Sequence, residues 1–319
     1  MRRLSLLLGL ALFAPGCGQE ESAPEPPAAP DTAAAVSETP SPPVTAPPGT
    51  DIWLARLERG PGGEVRLGEP RNLTLRPDAY DNQPHFTPSG DGILYTAGDT
   101  GGRTDIHRMD PATGEHHPVT RTPEESEYSP TPLPDGGFAV IRVEPDGTQR
   151  LWRFEGDGSL PRVLLPQVEP VGYQAWLDDD RVALFILGDP ASLQVARLST
   201  GEAERVFDGI GPSLHPIPGE DAVSFVEVVG EESWIWRYDG RTGDTRRIVQ
   251  TMDGGSHHAW TPDGVLLMAS GRRILALLPG TGVWTELGPL GPEGIQWSRL
   301  AVHPDGGSVA LVGEEADPQ

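Results

Sequence analysis

Six times along the chain a short polar turn leads into a run of apolar, β-favouring residues. The turns are Phe86-Thr87-Pro88-Ser89-Gly90, Pro132-Leu133-Pro134-Asp135-Gly136, Trp176-Leu177-Asp178-Asp179-Asp180, Pro216-Ile217-Pro218-Gly219, Trp260-Thr261-Pro262-Asp263-Gly264 and Val302-His303-Pro304-Asp305-Gly306, spaced 40 to 46 residues apart. The runs that follow include Ile93-Leu94-Tyr95-Thr96, Val182-Ala183-Leu184-Phe185-Ile186 and Ser308-Val309-Ala310-Leu311-Val312, and they read as buried strands bounded by turn signals. Next comes an alternating strand such as Trp234-Ile235-Trp236-Arg237-Tyr238, and a glycine-containing turn then leads to a short fourth strand such as Arg247-Ile248-Val249. Four strands recurring at a period near forty residues predict the blade of a β-propeller, so the fold class expected is all-β with six blades.

The ends of the folded region complete this count. The sixth unit has its turn and second strand, but nothing after Val312 supplies a third and fourth. Suitable strands lie at the other end, at Asp51-Ile52-Trp53-Leu54-Ala55-Arg56-Leu57 and, beyond a glycine-rich turn, at Arg71-Asn72-Leu73-Thr74. Pairing the first strands with the last would complete blade six and remove the exposed edges that otherwise template aggregation. Residues 50–319 are therefore expected to form one propeller, a monomeric domain with N- and C-terminal strands in the same blade.

Composition narrows the chemistry. The 24 basic residues are all arginine and face 47 acidic ones, a net charge of -23, which repels nucleic acid and the anionic face of a bilayer. Without lysine there is no Schiff-base chemistry and no phosphate-binding P-loop lysine. With Cys17 as the single cysteine there is no intrachain disulfide and no multi-cysteine metal site.

The N-terminus carries an address. Arg2 and Arg3 precede an apolar run from Leu4 to Phe13, too short for a mature membrane span and typical of a secretory signal. The following Ala14-Pro15-Gly16-Cys17 resembles the lipobox of bacterial lipoproteins. That resemblance implies a signal peptide over residues 1–16, a diacylglycerol on Cys17 and attachment to a membrane of the cell envelope. With Gly18 where an acidic residue would be a retention cue, it favours the outer membrane, with the propeller in the periplasm or at the cell surface. From residue 17 to 49 the chain is rich in Pro, Ala, Ser, Thr and Glu and has no aromatic residue, so it reads as a disordered tether, extending at roughly 3.1 Å per residue where polyproline-like.

The stretch Asn82 to Thr120, with Pro84-His85-Phe86-Thr87-Pro88-Ser89-Gly90, Ile93-Leu94-Tyr95-Thr96 and Asp105-Ile106-His107-Arg108-Met109-Asp110, is similar to the WD40-like repeat of TolB-type propellers. The resemblance covers roughly residues 51 to 313 and is degenerate in the second, third and fourth units. TolB itself has an α/β domain ahead of its propeller, where this chain has the lipid site and tether. Function does not travel with a fold.

No catalytic motif emerges. There is no Gly-x-Ser-x-Gly elbow, and Asp253-Gly254-Gly255-Ser256-His257-His258 reads as a loop entering blade five. His116-His117 reads as outer surface, and Asp178-Asp179-Asp180 as a hairpin turn rather than a calcium loop. Trp176 and Trp260 align with Phe86 and read as core between blades. His85 and His215 share one register in opposite blades, too far apart for a single ion unless the channel is narrow, so neither metal nor cofactor is expected. Polar groups at the ends of the inner strands, namely Asn82, Gln83, His85, Tyr128, Tyr173, His215, His257 and His258, are the candidates to face a ligand at the channel mouth. The expected function is a non-enzymatic envelope lipoprotein whose propeller binds an envelope protein or peptide. The alternative is a propeller that binds or cleaves a glycan.

Overall fold

The computed structural model describes residues 49–229, 232–252 and 255–315. Cys17, the signal sequence and the tether up to residue 48 lie outside the described residues. Every regular element described is a β-strand, and the strands form six antiparallel sheets. Blade one is Asp81–Phe86, Ile93–Gly98, Thr104–Met109 and His116–Pro118, from the channel outward. The inner strands of blades two to five are Ser126–Pro132, Val171–Trp176, Ile210–Pro216 and His258–Trp260, each followed in order by three further strands.

Blade six closes the ring as its sequence requires. Its inner strand Ile295–Val302 pairs with Ser308–Glu315, which pairs in turn with Asp51–Arg59 in the register Ile52 to Val312, Leu54 to Ala310 and Arg56 to Ser308. The outer edge differs from the single strand expected at Arg71 to Thr74. Two short pieces, Val65–Leu67 and Arg71–Asn72, both pair with Asp51–Arg59. Gly68-Glu69-Pro70 separates them. Proline has no N–H to give to a ladder, and glycine at the break loosens it further.

The start of the ring is also fastened sideways. Asp51 accepts hydrogen bonds from Asn72 Nδ2 at 2.8 Å, Thr74 Oγ1 at 2.7 Å and the Arg76 N–H at 2.7 Å. Arg76 in turn pairs with Asp81, the first residue of blade one.

The second strand of each blade is mostly apolar because a neighbouring blade covers each of its faces. Ile93–Gly98 and Leu266–Ser270 are buried at every position. Buried apolar side chains form six clusters among the described residues, one for each blade interface. Blades five and six meet at Leu267, Ala269, Val309 and Leu311, and blades six and one at Ile52, Ala310, Ile93 and Tyr95. Blades one and two meet at Ile106, Phe138 and Phe154, with the two phenylalanine rings stacked 5.4 Å apart.

The turns explain where the repeat degenerates. Gly90, Gly136, Gly219, Gly264 and Gly306 all have positive φ, between 74° and 91°, a conformation glycine adopts without strain. Blade three lacks that glycine, and its turn is held instead by the Asp178 carboxylate, which accepts from the N–H groups of Asp180 and Arg181 and pairs with the Arg181 guanidinium. Those acids shape a hairpin, as the sequence indicates.

Leu311 is fully buried in the seam between blades five and six. Leu311→Ala is expected to lower the unfolding free energy by about 2–5 kcal/mol, the usual range for a buried leucine that leaves a cavity. Urea unfolding followed by tryptophan fluorescence checks this, and an unchanged midpoint would mean that the seam does not hold the ring.

Candidate functional site

The inner strands are irregular in a way that aims side chains inward. A register shift falls between Asn82 and His85, between Tyr128 and Thr131, between Val171 and Tyr173, between Ile210 and Leu214 and between Trp297 and Leu300. Gln83 and Ser129 sit in these bulges with φ of 55° and 52°. A bulge re-aims the residue it displaces, and here it serves the channel. The residues three positions before the turns, Gln83, Ser129, Tyr173, Ser213, His257 and Arg299, share one level of the ring and all line one cavity of about 870 Å³.

At this level the channel is crossed by a polar network. Arg299 of blade six reaches Tyr173 of blade three, the opposite blade, with Nη2 donating to the phenol oxygen at 2.6 Å. Its Nη1 donates to Asn82 Oδ1 at 3.0 Å. Gln83 Nε2 makes a longer contact of 3.4 Å to the same phenol oxygen, while Gln83 Oε1 accepts from Thr96 Oγ1 and from the Ser129 N–H. The network forms the cavity floor. From it the cavity passes His85 and His215 and opens as a groove between blades two and three, walled by Pro130, Pro132, Leu133, Leu164, Trp176 and Leu177.

Six of the eight candidates named from the sequence line this cavity: Gln83, His85, Tyr173, His215, His257 and His258. Asn82 and Tyr128 do not. Asn82 is buried, with its amide oxygen on Arg299 and its nitrogen donating to Thr50, so it supports the floor. Tyr128 packs against the apolar cluster between blades two and three. Trp176, expected between blades, does pack on that cluster and also presents a half-buried face to the groove. Arg299 was absent from the candidates, although it stands three residues before Val302, at the position equivalent to Gln83, Tyr173 and His257.

The histidines divide into two kinds. His258 is fully buried, its Nδ1 lies 3.0 Å from Ser213 Oγ, and its Nε2 lies 2.7 Å from Ser224 Oγ. Ser213 Oγ also receives the His258 backbone N–H, and Ser224 Oγ also receives Trp260 Nε1–H and lies 3.3 Å from the His215 carbonyl. One proton arrangement satisfies all of these: Ser213 donates to Nδ1, Nε2–H donates to Ser224, and Ser224 donates to the carbonyl. His258 is thus a neutral brace between blades four and five. Burial holds its pKa well below 6.5, with smaller contributions from the charges of His215 and His257.

His85, His215 and His257 face the cavity. Solvent reaches the His85 ring through the channel, but the surrounding blades thin the water around it and lower its pKa to about 4. Burial lowers His215 to about 3, aided by the charge of His85 across the channel. Burial also lowers His257, followed by the charges of Arg299 and His215. At neutral pH the three rings are uncharged. Among the described residues no three histidine, cysteine or acidic side chains are grouped to hold a metal ion.

Because His258 is neutral when folded, its stabilisation is present above the unfolded histidine pKa of 6.5 and is lost as pH falls below it. His258→Ala is expected to destabilise the domain by about 2–4 kcal/mol at pH 7.5, from the cavity and the unpaired hydroxyls left behind. The gap from the unaltered protein should narrow at pH 5. His85→Ala, which removes no hydrogen bond, should change stability by less than about 1 kcal/mol. Thermal unfolding at the two pH values checks all three expectations.

At the level of sequence, no family model and no curated protein matches the chain. Solved structures do match. A putative TolB from Agrobacterium tumefaciens aligns with a TM-score of 0.65 at 15% identity, over 86% of this chain and 100% of that one. A chain of a nidogen–laminin complex aligns with a TM-score of 0.59 at 13% identity, over 79% and 98%. A gluconolactonase from Xanthomonas campestris aligns with a TM-score of 0.59 at 14% identity, over 85% and 98%. At such identities the likeness is one of fold, and the fold of this chain is a TolB-like six-bladed β-propeller.

Proposed function

We propose that the protein is a non-enzymatic lipoprotein of the bacterial cell envelope, held to a membrane by a lipid on Cys17 and a tether over residues 17–49, whose propeller binds a protein or peptide partner. The observation that carries this reading is the shape of the cavity: an open groove walled by prolines and leucines that descends between two blades to a polar floor. An extended chain fits such a groove, with apolar contacts along its length and polar ones at its end. The likeness to a TolB propeller and to a chain of a nidogen–laminin complex supports an interaction role.

A second reading, a propeller that binds or cleaves a glycan fragment, draws on the indole face of Trp176 in the groove wall and on the likeness to a gluconolactonase.

The test uses the full chain in its native membrane. Cys17→Ala is expected to move the protein from the membrane to the soluble fraction. Trp176→Ala is expected to weaken partner capture about tenfold, equivalent to about 1.4 kcal/mol. Capture that is indifferent to Trp176, or saturable binding of neutral oligosaccharides in its place, would overturn the protein-partner reading.

A further inference from the structure

The arginines of this acidic protein are partnered wherever the fold encloses them, with few exceptions. Arg142 pairs with Glu125 and Glu127, Arg153 with Asp135, Arg181 with Asp178 and Asp221, and Arg237 with Glu220 and Asp239. Among the described residues, Arg272 and Arg299 are neither exposed nor paired with a carboxylate, and of these Arg299 lies in the cavity. Its partners, Asn82 and Tyr173, are neutral. The acids that line the cavity, Asp135, Asp178 and Asp179, belong to the turns at its outer end, and the first two are already ion-paired.

The floor has more donors than acceptors. A guanidinium carries one N–H on Nε and two on each Nη. Arg299 gives one from Nη1 to Asn82 and one from Nη2 to Tyr173, and its Nε is buried without a partner. One N–H on each terminal nitrogen is uncommitted. The Tyr173 oxygen receives N–H groups from both Arg299 and Gln83, and its own O–H has no acceptor among the described residues. A positive charge with spare donors beside a free hydroxyl calls for an anion with two acceptor oxygens.

We propose that this floor is a carboxylate-binding subsite, in which Arg299 and Tyr173 together hold a carboxylate of an extended peptide lying in the groove. The inference rests on the partner reading above and names the group that the partner inserts. Arg299 supplies the charge and two N–H donors, Tyr173 supplies the O–H, and Asn82 and Gln83 are positioning residues that fix the guanidinium and the phenol. The uncharged histidines above the floor let the carboxylate pass without an ion pair on the way. The groove walls read the residues that precede it.

The test follows the side-chain N–H signals of Arg299 by NMR in the full chain while sodium acetate is added at constant ionic strength, with chloride and neutral acetamide as controls. A saturable shift with acetate, absent with both controls, is expected, with a dissociation constant on the order of millimolar or weaker for so small a probe. Arg299→Gln should abolish acetate binding, measured through Tyr173, and Arg299→Lys should keep a weakened form of it. A response to acetate no greater than that to chloride overturns the subsite even if neither variant folds. Acetyl-prolyl-alanine as free acid should bind more tightly than acetate, and its C-terminal amide should not bind. If acetyl-aspartate amide binds instead, the inserted group is an acidic side chain. Tight binding of glucuronate with none of either peptide overturns the peptide assignment. If partner capture needs Trp176 but survives Arg299→Gln, the partner reading stands and the subsite falls. If acetate binds Arg299 but no captured protein depends on Trp176, the subsite stands and the partner reading falls.

Discussion

The ladder between Asp51–Arg59 and Ser308–Glu315 joins residues some 250 positions apart in sequence, and the rest of the molecule depends on it. Each blade buries its faces only against its neighbours, so an open arc of six sheets would leave two apolar faces in water. Closing the arc turns the second strand of every blade into the middle of a sandwich. The six interface clusters are the result, and the seams on both sides of blade six contain residues from both ends of the folded region.

Closure also creates the cavity. Six inner strands run along one axis, and bulges in five of them send selected side chains into the space between. This space is enclosed enough to keep its histidines neutral. A guanidinium left without a carboxylate there contrasts with the ion-paired arginines at the turns. The outer turns use arginine to neutralise the acids that shape them, whereas the channel uses one arginine to bridge opposite blades through neutral groups.

The same enclosure gives two adjacent histidines opposite tasks. His257 lies just before the strand His258–Trp260 and stays half-buried in the cavity lining, whereas His258, which also touches the cavity wall, is fully buried between blades four and five. There it meets Ser213 and Ser224, which come from two different strands of blade four. A pair that looks like one feature in the sequence becomes a half-buried cavity group and a buried structural brace.

The architecture was legible because each blade repeats the same local signals: a proline- or aspartate-bearing turn, an apolar run and an alternating strand. The pairing expected between the first and last strands of the folded region is the one the structure has. Choosing polar groups at the ends of the inner strands also found most of the channel side chains, and three of these, Gln83, Tyr173 and His257, fall at equivalent positions. Arg299 falls there too, but arginines are frequent throughout this chain, and nothing local distinguishes one that lacks a partner from those that have one. Likewise nothing in the sequence near His258 reveals the serines that hold it, and nothing near Asn82 reveals that it lies behind the guanidinium. The sequence by itself determined most of the strands, the blade count and the closure, because these follow from periodicity and from the requirement that edges be paired, whereas the broken outer edge of blade six was not foreseen. Only the tertiary structure decided which polar side chains share a space, because hydrogen bonds and charges act over a few ångströms between blades that the chain visits far apart.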